Sequence, residues 1–103
     1  MKQIEALILT MLTAGERHGY GIRQDIMEHT RGRVSLEAGN LYRHIRDLEE
    51  AGFIAPVTAD ADGDRRIYYK LLPAGRRALA SELAAMQSLV RFAQLNGVGV
   101  PRR

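Results

Sequence analysis

Apolar residues recur at helical spacing from the fourth position onward. Ile4, Leu7, Ile8, Met11 and Leu12 share one face, and Gly15 follows as a stop, which predicts a first helix from Lys2 to Thr13. A second segment begins at Gly19, with Ile22 and Ile26 four apart and Gly32 as its terminator. A third carries Leu41, Ile45 and Leu48 on one stripe and ends at Ala51-Gly52-Phe53-Ile54. Gly52 suits the left-handed conformation that closes a helix, and Phe53 then folds back on Leu48.

The period then changes. Phe53 to Thr58 is short and apolar, Ala59 to Arg65 is a turn of Asp and Gly, and Ile67-Tyr68-Tyr69-Lys70-Leu71 alternates. Ile67, Tyr69 and Leu71 fall on the core face, and Tyr68 on the other. Pro56 has no amide donor, so its strand belongs at a sheet edge. Pro73 opens a last helix, where a missing N–H does no harm. Leu79, Leu83, Met86, Val90 and Ala93 step along it by four and three, and Ala85, Leu89 and Phe92 widen the stripe. The tail from Gly97 to Arg103 has no period and reads as flexible. The fold expected is mainly α with a small β-hairpin: a winged helix-turn-helix over 1–72, a C-terminal dimerisation helix over 73–96 and a tail over 97–103.

Length and composition bound what this fold can do. The 103 residues suit one domain with a small core, and 46% hydrophobic content supports packing rather than disorder. An apolar helix longer than that core therefore needs a partner. Cysteine is absent, which excludes disulfides and thiolate metal sites. No signal peptide or membrane span is legible, so a cytoplasmic protein is expected, with no membrane partner. The net charge of +3 and pI of about 9.7 permit nucleic-acid binding, but the placement of the charge matters more.

Catalytic and cofactor motifs fail on inspection. Gly19-Tyr20-Gly21 begins like a dinucleotide fingerprint, but it lacks the third glycine and follows no strand. Asp60, Asp62 and Asp64 begin like a calcium loop, but Arg65 replaces the turn glycine and Leu71 the closing glutamate. His18, His29 and His44 lie on different elements and read as caps or surface groups. No nucleophile stands beside a base in a known motif. The expectation is no enzyme, no metal and no cofactor.

With Leu41, Ile45 and Leu48 turned inward, Gly39, Arg43, Arg46 and Glu50 point outward, flanked by Asn40 and Tyr42. A helix entering the major groove reads bases from such a face: Arg43 suits guanine, Asn40 suits adenine, and Gly39 permits close approach. Tyr20 and Tyr42 offer hydroxyls to phosphate, and each also suits a half-buried ring. Arg65 and Arg66 stand at the wing, where guanidinium groups suit phosphate or a narrow minor groove, or pairing with the neighbouring aspartates.

Three stretches resemble the PadR family of transcriptional regulators in order and spacing over about residues 4–80. They are Ile8 to Leu12 leading into His18-Gly19-Tyr20-Gly21-Ile22; Gly39-Asn40-Leu41-Tyr42 followed by Leu48 to Ile54; and Arg65 to Leu71, then Ala74-Gly75. The resemblance implies a dimer that pairs through the last helix and packs it on the first helix of its partner. On this chain that implicates Ile4, Ile8, Leu79, Leu83, Met86, Leu89, Val90 and Phe92. Some relatives admit small aromatic compounds at that interface; here only Phe92 offers an aromatic, and the effector, if one exists, is left unknown. The chain departs from the family at Glu37-Ala38 for the usual Ser-Pro, at Asn40 for Thr, at Leu72 for a capping Thr, and in its acidic wing. These departures bear on the operator and the affinity, not on the fold. The function expected is sequence-specific binding of double-stranded DNA by a homodimeric repressor on an inverted repeat. The alternative is a winged-helix interaction or dimerisation module that leaves DNA alone.

Overall fold

Apolar stripes on three helices meet on α1, and the sheet and the start of α4 close the remaining sides. The computed structural model describes residues 1–58, 66–99 and 101. The elements in chain order are α1 (Gln3–Leu12), β1 (Arg17–His18), α2 (Gly19–His29), α3 (Ala38–Glu50), β2 (Ile54–Thr58), β3 (Ile67–Leu71) and α4 (Pro73–Leu95). The core is built from Ala6, Ile8, Leu9 and Leu12 of α1, Ile22 and Ile26 of α2, and Leu41, Ile45 and Leu48 of α3. Ile54, Tyr69 and Leu79 complete it. Burying each aliphatic side chain contributes about 1.5–3 kcal/mol, so α1 is the element the fold can least lose.

Local chemistry sets the helix boundaries. Between α2 and α3, the Thr30 hydroxyl donates to the Ile26 carbonyl at 2.7 Å and accepts the Val34 N–H at 3.1 Å. That turn places Arg31 and Gly32 at positive φ, 55° and 78°. At the end of α3, Gly52 adopts φ 77°, and the Phe53 N–H reaches the Leu48 carbonyl at 3.0 Å while the Gly52 N–H reaches Glu49 at 3.0 Å. This is the reciprocal closure expected from Gly52-Phe53. Glu37 and Leu72, the residues before α3 and α4, make no side-chain cap.

The sheet has three antiparallel strands in the order β1-β3-β2, one more than the hairpin expected from the sequence. Arg17 and His18 pair with Tyr69 and Tyr68 of β3, a contact too short to leave a periodic signal. Pro56 lies on the edge strand β2, opposite Tyr69. Tyr69 is buried as the alternation requires, but Ile67 at the far end of β3 is 50% exposed. The strand runs past the edge of the core there, so face alone does not bury it.

The start of α4 belongs to the core and the rest does not. Gly75 lies against the Phe53 carbonyl, which also accepts the Leu72 N–H at 2.9 Å, so the helix crosses the α3–β2 turn at backbone contact. Among the described residues of α4 only Gly75 and Leu79 are buried, and the molecule is drawn out to 54 × 28 × 22 Å. Two residues assigned from sequence to a partner are therefore corrected: Ile8 and Leu79 lie inside the single chain, 0% and 4% exposed. Ile8 faces inward because α1 is the central helix, and Leu79 because the first turns of α4 pack against the core. Among the described residues no helix is long and apolar enough to cross a membrane.

Candidate nucleic-acid interface

Burial of Leu41, Ile45 and Leu48 fixes the rotation of α3 and leaves Gly39, Asn40, Tyr42, Arg43 and Arg46 exposed. The Arg43 guanidinium donates from Nη2 to Asn40 Oδ1 at 2.8 Å, one turn back along the helix. This bond holds the two base-reading candidates side by side. Glu37 is exposed beside them at the start of the helix.

A cleft of about 430 Å³ opens where α2, α3 and the sheet meet, lined by His18, Tyr20, Tyr42, Arg66, Ile67 and Tyr69 about Gly19. The Tyr42 ring lies directly over Gly19; a β-carbon there would sit 2.7 Å from Tyr42 Cζ. His18 stands at the start of α2, where Nδ1 accepts the Gly21 N–H at 3.0 Å and so caps the helix. Its ring stacks on Tyr20 at 6.3 Å and meets Tyr68 edge-on at 5.2 Å. Its Nε2 faces Arg66 Nη1 at 3.1 Å. The Tyr20 oxygen accepts a bond from Gln24 Nε2 at 2.7 Å, which leaves its own proton to donate elsewhere. Arg17 is held back by Asp25, Nε to Oδ2 at 3.3 Å.

Six of the eight residues expected from sequence at a nucleic-acid surface therefore fall in two adjoining groups: Gly39, Asn40 and Arg43 along α3, and Tyr42, Tyr20 and Arg66 at the cleft. Arg46 is exposed on the outer face of α3. Arg65 and the wing aspartates lie outside the described residues. The sequence reading missed the placement of His18 and the seat of Tyr42 on Gly19, because both depend on β1.

Burial first, then the carboxylate of Glu49 and the neighbouring Tyr42, push the Tyr69 phenol above its ordinary 10.0. The unfolded chain ionises near that pH while folded Tyr69 stays protonated. Its contribution to stability is thus intact below pH 10 and lost as pH rises through the folded value. Alkaline titration at 295 nm should show a late-ionising tyrosine that Tyr69→Phe removes; an unchanged curve would count against this environment.

Glu5, His44 and Asp47 bring ligand-type atoms within 4.8 Å of one another. The Glu5 carboxylate already takes the Lys2 N–H at 3.3 Å and faces His44 Nδ1 at 3.1 Å, so the group reads as the seam between α1 and α3.

Residues 8–81 match the family model described as the transcriptional regulator PadR-like family. The transcriptional regulator Rv3488 of Mycobacterium tuberculosis is 34% identical over 84 residues, spanning 82% of this chain and 76% of its own length. A transcriptional regulator from Clostridium thermocellum shares the fold with a TM-score of 0.78 at 24% identity, over 92% of this chain and 89% of its own. Bacillus subtilis PadR, solved in complex with operator DNA, aligns with a TM-score of 0.70 at 25% identity, over 80% of this chain and 47% of its own. The chain belongs to the PadR-like family of transcriptional regulators.

Proposed function

We propose that this protein binds DNA as a homodimer and represses transcription by occupying an inverted repeat, with α3 in the major groove and the wing on the flanking backbone. The observation that carries the reading is the outward face of α3. Asn40 and Arg43 stand exposed and mutually bonded near its start, beside a cleft lined with donors. The B. subtilis PadR complex with operator DNA supports the same use of this fold. The dimer is supported by α4, whose Leu83, Leu89, Val90 and Phe92 are exposed beyond the covered turns, with Met86 half-buried among them and Ile4 half-buried on α1. A dimer would present α3 twice, about 34 Å apart, to successive grooves.

Titration of two variants against matched and scrambled operators tests the assignment. Arg43→Ala should lose about 1–3 kcal/mol on the true operator and relax preference at one base pair per half-site. Arg66→Ala should weaken all sequences evenly and flatten the dependence of log affinity on log salt by about 0.9. Equal discrimination by Arg43→Ala and the parent would show that the recognition face is misassigned. Binding indifferent to both substitutions and to salt would favour an interaction module instead.

Gly19→Ala probes the link between the helices. Its β-carbon must displace the Tyr42 ring, a side chain free to swing outward, so stability should change little while duplex affinity falls several-fold. An unchanged affinity would show that the seat of Tyr42 is irrelevant to binding.

A further inference from the structure

His18 is held between two groups that no single form of its ring can satisfy. Nδ1 receives the Gly21 N–H at 3.0 Å, so Nδ1 must be unprotonated and the proton resides on Nε2. Nε2 then points an N–H at Arg66 Nη1, 3.1 Å away, and a guanidinium nitrogen is itself only a donor. Moving the proton to Nδ1 relieves Arg66 but sets two donors against each other at the helix cap. The cationic ring opposes donors on both sides. Two donors converging at this distance are reconciled by an acceptor that takes both, and the acceptor Arg66 favours is an anion. The cleft into which they open holds a third donor, the Tyr20 hydroxyl, whose oxygen is occupied by Gln24 and whose ring is stacked on His18.

We propose that this cleft clamps one phosphodiester of the DNA backbone, with His18 Nε2–H and the Arg66 guanidinium as its principal donors. The inference rests on the DNA-binding reading above and adds to it a ligand from the start of α2. His18 would act at once as helix cap and phosphate ligand. The cap fixes the tautomer, and the tautomer aims the proton at the phosphate.

His18→Asn separates the two roles, because asparagine is a good N-cap and, with Oδ1 at the cap, its amide nitrogen overlies the ring's Cδ2 and falls short of the place from which His18 Nε2 reaches the cleft. With a mixed-sequence duplex of about 30 base pairs as probe, the variant should bind on the order of tenfold more weakly, the worth of one hydrogen bond to a charged group. Its melting temperature should match the parent's. Its salt slope should also be unchanged, since a neutral donor displaces no counterion, whereas Arg66→Ala lowers the slope. A long-range proton–nitrogen spectrum of the unaltered protein provides a second reading that needs no variant. His18 should carry its proton on Nε2, and that resonance should shift when duplex is added. Duplex bound equally well by His18→Asn, a proton found on Nδ1, or a resonance indifferent to duplex would each overturn the clamp. A parent protein that binds no duplex at all would instead bring down the DNA-binding reading itself.

Discussion

Leu83→Asp is expected to halve the mass of the protein in solution. Leu83 is 45% exposed in the single chain, one turn past the last buried residue of α4, so a carboxylate there leaves the intramolecular core untouched. In the proposed dimer the same position faces apolar surface, where an uncompensated charge costs several kcal/mol. Light scattering at micromolar concentration should therefore give about twice 11.5 kDa for the parent and 11.5 kDa for the variant, with helical content preserved. Loss of one half of a bivalent grip should also lower operator affinity by a factor on the order of 10²–10⁴. A parent that runs at 11.5 kDa under these conditions would rule out the dimer.

Gly75→Ala should unfold the protein more readily, although alanine is the better helix former by about 1 kcal/mol. An added β-carbon would overlap the Phe53 carbonyl oxygen, lie 2.9 Å from the Phe53 carbonyl carbon and 3.0 Å from Leu71 Cδ1. The carbonyl has nowhere to go. It accepts the Leu72 N–H, and its residue is pinned to Leu48 by the closure of α3. Relief must come from lifting the start of α4, which loosens Leu79 in the core. A net loss of about 2–3 kcal/mol is expected, or a fall in melting temperature on the order of 10 °C for a domain of this size. Gly39→Ala is the control, since its β-carbon meets nothing within 4 Å and should be neutral or slightly stabilising. If both substitutions melt alike, the close approach at Gly75 is not what the geometry indicates.

The elements that sequence periodicity located are those whose signal repeats. Leu41, Ile45 and Leu48 named the inner face of α3 and, by subtraction, the outer face carrying Asn40 and Arg43. The Gly52-Phe53 pair marked the end of that helix because its closure needs only local residues. Periodicity does not distinguish an apolar residue covered by its own chain from one awaiting another. Ile8 and Leu79 repeat on the same stripes as Ile4 and Leu83, and only the path of α4 over the core separates them. For the same reason the cleft was legible as a set of residues but not as a site. Its walls come from segments about fifty positions apart, joined by a strand of two residues.

That strand bears on the speed of binding. Arg17 and His18 pair with β3 and run directly into α2 with no linker between them, so the root of the wing is fixed to the helix that opens the helix-turn-helix. Orienting these parts relative to one another is completed during folding and does not recur at each encounter with a partner. Association should then follow a single exponential limited by collision and steering, with no slower phase in which the wing root docks after α3 has engaged.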